Sequence, residues 1–157
     1  MSSSVDRDYW AGEHPRPLTP NEADVAVFVE EVSDAKSILL LGNTRALFPL
    51  CTAAMDIDPF IDDPRVIRQD WRTNTFHYEA MIGDGLLNFD QALTREVLEM
   101  AQRYCDTLVV RTFTRLLPPM RVATFFPQAE DFHIVPRVVR TCDEGYAFYR
   151  WDFTREQ

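Results

Sequence analysis

SILLLGNTR, residues 37–45, opens the stretch of sequence that decides the fold. Its aliphatic run ends at Gly42. Three further apolar runs each meet an acidic residue or a glycine turn: TAAMDID (52–58), RVIRQDW (65–71) and YEAMIGDGLLNF (78–89). Continuous apolar runs of this length are typical of strands that are covered on both faces of a parallel sheet. Because open α/β sheets bind ligands outside the carboxyl ends of their strands, the stretch predicts a nucleotide-like ligand at one edge of such a sheet.

The residues on either side of this stretch predict two helices and three more strands. Thr19 followed by Pro20 is typical of a helix start, and Asp90 precedes a segment with an apolar stripe at helical spacing. A short polar connection with a glycine between two strand-like runs predicts a β-hairpin. The additional predicted elements are a helix over 20–33, a helix over 90–103, a fifth strand over 107–113 and a hairpin formed by 132–141 and 146–153.

These elements predict an α/β fold: an open, mostly parallel, Rossmann-like sheet with a C-terminal antiparallel hairpin. A chain of 157 residues is long enough for one domain, which we expect over residues 18–157 after a flexible N-terminal arm over residues 1–17. The connections over 59–64 and 72–78 are shorter than the roughly twelve residues that a parallel crossover usually needs. We therefore expect reduced helix cover and, since soluble monomers rarely expose a large apolar face, a homo-oligomer that covers the bare part of the sheet.

Composition and charge narrow the classes of function. Apolar residues make up 46% of the chain and aromatic residues 12%, which is typical of a soluble globular protein. The apolar runs are too short to span a membrane and the first residues lack a signal-peptide pattern, so we expect a cytoplasmic protein with no membrane partner. The formal net charge of −9 argues against nucleic acid as a partner, although arginines concentrated in the last third leave a local basic patch open.

Cysteine and histidine usage gives no sign of a disulfide framework or a metal centre. Cys51, Cys105 and Cys142 are odd in number, widely separated and without CxxC spacing. The histidine, aspartate and glutamate residues form no cluster with metal-ligand spacing. We therefore predict no catalytic metal.

The order of the elements, with an antiparallel hairpin after five parallel strands, resembles the class I S-adenosylmethionine-dependent methyltransferases, of which this chain would be a minimal or degenerate member. The similarity runs from about Ile38 to Phe113. SILLLGNTRAL resembles the first motif of that family, AAMDID its second strand, QDW its third motif and GDGLLNF its fourth. The resemblance implies S-adenosylmethionine as the cofactor and in-line methyl transfer to a small-molecule or peptide-like acceptor.

The resemblance also implies a set of site residues at the strand ends. Asp56 would accept hydrogen bonds from the ribose hydroxyls, and Asp70 and Trp71 would lie at the adenine. The implied cofactor-binding residues are Gly42, Asn43, Asp56, Asp70, Trp71, Gly83 and Asp84. The chemistry is suitable, because a carboxylate offers two acceptor oxygens to two hydroxyls. Glycines at positions 42, 83 and 85 would permit positive φ angles and a close approach of backbone to ligand.

Asp84 and His77 are the candidate catalytic residues. The resemblance places Asp84 near the reacting methyl group, and His77 is suited to general-base chemistry because histidine titrates near neutral pH. A structural role is the alternative for His77. Asp56 and Asp70 have the alternative of ending strands and starting turns, and Trp71 that of an apolar anchor.

Two other functions stay open at the level of the sequence. The short connections and the single glycine of the first motif favour a catalytically reduced methyltransferase-like protein that serves as an interaction or regulatory subunit. An enzyme that cleaves S-adenosylmethionine itself needs only the donor pocket and suits a short chain. No motif in the sequence specifies the methyl acceptor, since fold alone does not imply function.

Overall fold

Two α-helices and seven strands are present in the part of the chain that the computed structural model describes, residues 20–58, 60–85, 91–113, 137–142 and 146–153. The helices are α1 (Glu22–Glu31) and α2 (Gln91–Tyr104). The strands are β1 (Ile38–Leu41), β2 (Ala53–Asp56), β3 (Val66–Arg68), β4 (Tyr78–Asp84), β5 (Cys105–Phe113), β6 (Arg137–Cys142) and β7 (Tyr146–Asp152). Two short 3₁₀ segments, Arg45–Leu50 and Trp71–Thr73, lie in connections between strands.

The seven strands form one sheet in the order β3-β2-β1-β4-β5-β7-β6. Strands β1 to β5 pair in parallel, whereas β7 pairs antiparallel with both β5 and β6. The strand order reverses between β1 and β4, which is the position where open α/β sheets bind ligands. The predicted fold class is confirmed: the sheet is open and mostly parallel, and it ends in an antiparallel hairpin.

The core consists of two layers, one on each face of the sheet, because side chains alternate along each strand. Leu39 and Leu41 of β1 belong to the layer that α2 covers, whereas Ile38 and Leu40 belong to the layer that α1 covers. Phe28 of α1 is fully buried in the second layer. Strand β1 is therefore covered on both faces, as its continuous aliphatic sequence predicts.

The connections around β2 and β3 contain 3₁₀ segments but no α-helix among the described residues. The first segment buries Leu47 in the layer on the α1 side, and the second buries Trp71 in the layer on the α2 side. Each 3₁₀ segment thus covers sheet surface that a crossover helix would otherwise cover, and in the first segment the partly buried Phe48 and Leu50 add to this cover. The predicted reduction in helix cover is confirmed.

The homo-oligomer was predicted on the expectation that part of the sheet is apolar and uncovered, and β1 and β2 have no such uncovered surface. All four residues of β1 and three of the four residues of β2 are buried. Exposed large apolar side chains do lie further out, with Ile67 on the edge strand β3 at 48% exposure and Phe76 in the next connection at 72%. The homo-oligomer stays a prediction, with less apolar surface in its support than the sequence suggests.

Helix α1 begins later than the sequence predicts. Asn21 caps it, since the Asn21 side chain accepts the backbone N–H of Asp24 at 2.9 Å and the Asp24 carboxylate accepts the backbone N–H of Asn21 at 3.1 Å. This reciprocal pair satisfies two otherwise unbonded donors at the start of the helix. The predicted start at Pro20 is therefore wrong, and the predicted cap Thr19 lies outside the described residues.

Part of the predicted chain organisation also lies outside the described residues. The arm over residues 1–17 and the hairpin turn over residues 143–145 belong to the parts that are not described. Every described strand belongs to the one sheet, and a single domain over residues 18–157 stays a prediction. None of the helices in the described part has the length and apolar character needed to cross a bilayer.

Candidate functional site

The carboxyl ends of the parallel strands bring four residues into one row. The register of β1 with β2 and with β4, continued one residue past Leu41, places Gly42 between Asp56 and Asp84. Asp84 in turn pairs with Arg111 of β5. At about 4.8 Å between neighbouring strands, the backbones of Asp56 and Asp84 lie about 10 Å apart. Alternation along β2 and β4 directs both carboxylates to the face of the sheet that α1 covers.

Gly42 leaves open space between the two acids. Its φ angle of +144° lies in a region that favours glycine, and a Cβ atom built on it would meet no heavy atom within 4 Å. Its backbone N–H donates to the carbonyl of Met55 at 2.8 Å, which continues the pairing of β1 with β2. Asn43 follows on the exposed side of this turn. A ligand can therefore approach the backbone of Gly42 closely in the middle of the row.

The other two glycines of the predicted site differ from each other. Gly85 has a φ angle of +72° and donates its N–H to the carbonyl of Arg111 at 2.7 Å, so it forms the turn that ends β4. Gly83 is a buried residue inside β4 and has no positive φ angle. The expectation that Gly83 needs a positive φ angle is wrong, because the strand continues through it to Asp84.

Asp56 is held in a defined position by its own backbone turn. The residue is 7% exposed, and its Oδ1 accepts the backbone N–H of Asp58 at 2.8 Å. Asp58, at 5% exposure, repeats the pattern by accepting the N–H of Phe60 at 2.9 Å. Consecutive turns of this kind are the usual behaviour of aspartate after a strand, so the alternative turn role is present. A carboxylate has about four acceptor positions, so one turn bond of this kind is compatible with a ligand contact.

Asp84 lies in a buried ion cluster under α1. Its Oδ1 accepts from Nη1 of Arg111 at 2.7 Å, and Nη2 of Arg111 lies 3.7 Å from Oδ2 of Asp24. The three side chains are only 2%, 4% and 9% exposed for Asp84, Arg111 and Asp24. Burial raises the pKa of Asp84 to about 6, even though the charge of Arg111 favours the ionised form. The placement favours a structural role for Asp84 and argues against contact with an acceptor.

Asp70 is also engaged by an arginine. Its carboxylate caps the second 3₁₀ segment by accepting the N–H of Arg72 at 3.0 Å, and it accepts from Nη2 of Arg72 at 2.7 Å. Nη1 of Arg72 donates to Glu96 of α2, which ties this connection to the helix. Burial opposes ionisation of Asp70, but the hydrogen bonds from Arg72 outweigh it and hold the pKa of Asp70 below its ordinary value. These contacts occupy most of the acceptor capacity that adenine recognition would use.

Trp71 lies in the core, where the sequence left open either an adenine contact or an apolar anchor. The residue is 3% exposed within the layer on the α2 side, and its indole Nε1 donates to the carbonyl of Met55 at 2.8 Å. This bond joins the connection after β3 to β2. The placement favours the anchor.

His77 lies at the opposite edge of the sheet from the candidate site. It directly precedes β4, whereas Asp84 ends that strand, and the six residue-to-residue steps from Tyr78 to Asp84 span about 20 Å. Its Nε2 is 3.2 Å from Oδ1 of Asp106 at the start of β5, and the His77 side chain is 49% exposed. A general base must lie within hydrogen-bond reach of the proton it takes. His77 is therefore too distant to act at the row that contains Gly42, and this geometry gives no support to the catalytic role predicted for it.

Asp24 and Arg111 lie in this site but are not among the residues predicted for it from the motifs. Each breaks an apolar pattern: Arg111 directly follows the buried apolar residues 108–110 of β5, and Asp24 lies one turn before Phe28 on the buried side of α1. A charged residue in such a position needs a buried partner of opposite charge. That signal is readable from sequence, but the identity of the partner depends on how α1 lies across the sheet.

Metal binding receives no support from the described residues. They contain no group of three or more histidine, cysteine, aspartate or glutamate side chains arranged to hold a metal ion. Cys51 and Cys105 lie in separate layers of the core and are not paired with each other. The absence of a catalytic metal stays a prediction for the chain as a whole.

Comparison with known proteins identifies the fold. No protein-family model matches the sequence, and no curated protein gives a significant match. Among solved structures, magnesium protoporphyrin IX methyltransferase from Synechocystis PCC 6803 with bound SAM matches with a TM-score of 0.57 and 12% identity over 98% of this chain and 92% of that one. The 23S rRNA methyltransferase ErmE matches with a TM-score of 0.60 and 14% identity over 89% of this chain and 71% of that one.

A third matched structure has a similar TM-score but belongs to a longer chain. The T. thermophilus 16S rRNA N2 methyltransferase RsmC, in complex with AdoMet and guanosine, has a TM-score of 0.58 and 12% identity over 96% of this chain and 47% of that one. Likeness at this level of identity shows the fold and not the activity. The chain therefore has the fold of class I S-adenosylmethionine-dependent methyltransferases, which confirms the resemblance drawn from the order of its elements.

Proposed function

We propose that this chain binds S-adenosylmethionine at the carboxyl edge of its sheet and transfers the methyl group to a small-molecule or peptide-like acceptor. The observation that carries the proposal is the placement of a buried carboxylate, Asp56, next to the uncovered backbone of Gly42 at the reversal point of the strand order. Open α/β sheets bind nucleotide-like ligands at this point. The residues fit an adenosine-bearing cofactor, since one offers paired acceptors and the other offers room.

The residues of this edge divide into contact and support roles. Asp56 would accept the two ribose hydroxyls, and Gly42 with Asn43 would admit the amino-acid part of the cofactor. When bound, the cofactor supplies a methyl group on a sulfonium, which is a good electrophile. The protein then gains rate mainly by alignment and by exclusion of water. Asp70 and Asp84 support this edge through their arginine partners rather than by contact with the ligand.

The net charge of the chain bears on the class of methyl acceptor. A net charge of −9 disfavours a polyanion such as RNA, even though two of the matched structures are rRNA methyltransferases. A neutral or cationic acceptor, such as a small amine or a peptide, suits an acidic protein better. Methyl transfer to such a nucleophile releases one proton, which bulk solvent can take at an open edge.

The first experiment is calorimetric titration of the purified chain with S-adenosylmethionine and S-adenosylhomocysteine. We expect binding of both, with displacement of one by the other at a single site. Transfer of a labelled methyl group to a panel of amines, peptides and rRNA would then identify the acceptor class. Failure of either cofactor form to bind at millimolar concentration would refute the proposal, and labelling of rRNA alone would refute the acceptor class.

One observation favours a second candidate, a methyltransferase-like subunit without catalysis. The two residues proposed for catalysis do not meet: Asp84 is buried against Arg111, and His77 lies at the other edge of the sheet. A protein of this kind would bind the cofactor, or none, and act through a partner. Cofactor binding without methyl transfer to any member of the panel, together with a stable complex with a defined partner, would favour this second candidate over the enzyme.

A further inference from the structure

Two arginines fasten α1 to the sheet, one at each end of the helix. At the start of α1, Asp24 lies 3.7 Å from Nη2 of Arg111, whose Nη1 donates to Asp84 at 2.7 Å. At the end of α1, Nη1 of Arg150 donates to the backbone carbonyl of Glu31 at 2.8 Å and to its carboxylate at 3.1 Å. The helix therefore lies antiparallel to the parallel strands, with its first turn at their carboxyl ends.

Only the first of these attachments lies beside the candidate site. Asp84 is the direct neighbour of Gly42 in the row at the carboxyl edge, so the cluster reaches the site across a single strand spacing of about 4.8 Å. The attachment at Arg150 belongs to the other edge, where a cleft is lined by Glu31, Glu79 and Asp106 as well. The two attachments are thus the same kind of contact, but the one at Arg111 lies beside the candidate site and the one at Arg150 lies far from it.

We propose that Asp24 and Arg111 are positioning residues: with Asp84 they fix the first turn of α1 next to Gly42 and so set the shape of the cofactor site. The proposal rests on the proposed function. The cluster is suited to this task because its charges are almost fully buried, so that moving the helix away would take the Asp24 carboxylate from Arg111 in an apolar layer. Helix ends open more readily than helix middles, and a fixed first turn suppresses that opening.

The capping of α1 strengthens the link between the cluster and the helix. The Oδ2 atom of Asp24 that faces Arg111 also accepts the N–H of Asn21, which starts the helix. Four residues further on, Phe28 packs edge-on against Phe148 of β7 with ring centroids 5.1 Å apart. One turn of α1 is thus held by a charge contact and the next by a ring contact, and loss of the first would release only the turn nearest to the site.

The test compares Arg111→Met with the matched control Arg150→Met. Each substitution removes one guanidinium that holds α1, and each leaves the aliphatic part of the side chain. Two measurements are made on both variants: affinity for S-adenosylhomocysteine by calorimetry, and hydrogen exchange of the backbone amides in residues 22–31. We expect Arg111→Met to weaken affinity at least about tenfold, the equivalent of one charge-assisted hydrogen bond, and to speed exchange at the start of the helix. Arg150→Met should speed exchange at the end of the helix and change affinity less than about twofold.

Equal losses of affinity in the two variants, or no loss in Arg111→Met, would overturn the proposal. If Arg111→Met does not fold, Arg111→Lys against Arg150→Lys decides it: lysine keeps the charge, so Arg111→Lys should recover part of the affinity, and full loss or no loss in it would count against positioning. If the unaltered chain binds no cofactor, the proposed function fails. The hydrogen-exchange data then decide whether the cluster fixes the first turn of α1. Faster exchange confined to the start of α1 in Arg111→Met supports that role, and unchanged exchange refutes it.

Discussion

Replacement of Asp56 by asparagine tests the proposed ribose contact with little disturbance of the fold. The Asp56 carboxylate is 7% exposed, and its Oδ1 accepts the backbone N–H of Asp58 at 2.8 Å. Asparagine keeps one carbonyl oxygen for that bond but loses the charge and the second acceptor. The substitution therefore removes what the cofactor would use and retains what the turn uses.

The expected size of the effect follows from the hydrogen bonds involved. A hydrogen bond to a charged group contributes about 1.5–3 kcal/mol, so loss of the charged ribose contact should weaken binding of S-adenosylhomocysteine by about 10- to 150-fold. The free energy of unfolding should fall by about 1 kcal/mol in Asp56→Asn, because the bond from the N–H of Asp58 is kept but is no longer made to a charged group. In Asp56→Ala the buried N–H of Asp58 loses its acceptor, so we expect an additional loss of about 1–3 kcal/mol in the free energy of unfolding.

The assay is calorimetric titration at pH 7.5, with urea unfolding of the same samples as the check on stability. Asp58→Asn is the matched control, because Asp58 is equally buried and makes the same kind of turn with Phe60. We expect its affinity to stay within about twofold of the unaltered chain. Unchanged affinity in Asp56→Asn would refute the ribose assignment, and an equal loss in Asp58→Asn would show that the turn as a whole, rather than one carboxylate, governs binding.

Three further predictions concern the residues around this site. The pKa of Asp84 is raised to about 6 in the folded chain, so its ionised form lowers the free energy of unfolding at pH 7, and protonation removes this cost as the pH falls through 6. Relative to Asp84→Asn, the free energy of unfolding of the unaltered chain should therefore rise by about 1 kcal/mol between pH 7 and pH 5, as measured by urea unfolding. Trp71→Phe removes the donor to the Met55 carbonyl and should lower the free energy of unfolding by about 1–2 kcal/mol in the same assay, with unchanged cofactor affinity by calorimetry. His77→Ala removes only a half-exposed contact with Asp106 and should leave both affinity and methyl transfer unchanged.

Each of these predictions has a contrary outcome. Parallel pH profiles for the unaltered chain and Asp84→Asn would mean that Asp84 keeps an ordinary pKa in its buried cluster. A loss of affinity in Trp71→Phe at full stability would return Trp71 to the adenine site. A fall in methyl transfer in His77→Ala, with the fold intact, would show that the amino edge of the sheet takes part in the reaction.

Local sequence signals were sufficient for most of the fold. The aliphatic run from Ile38 to Leu41 is too apolar for a strand with a solvated face, and it lies at the centre of the sheet with both faces covered. The short connections also predicted the reduced helix cover, because so few residues cannot form a crossover helix. The predicted start of α1 was wrong because two capping patterns overlap there, and the reciprocal bonds of Asn21 and Asp24 prevail.

The candidate site was only partly accessible from the sequence. Asp56 and Gly42 follow directly from their strands, since a residue at the carboxyl end of a parallel strand can only lie at that edge. Asp70 shares that edge, but its partner Arg72 is two residues away in the chain and was not considered. His77 precedes β4 and so lies at the amino end of that strand, away from the carboxyl ends where the candidate site lies.

The sequence by itself determined the strands, their direction and the acids that end them, because these depend on the apolar pattern of a few consecutive residues. Tertiary structure alone decided which of these acids are held by buried arginines. Asp84 meets Arg111 across 27 positions of chain through the pairing of β4 with β5, and Arg111 meets Asp24 through the packing of α1. Such contacts depend on the register of strands and the placement of a helix across them, and a local pattern carries no information about either.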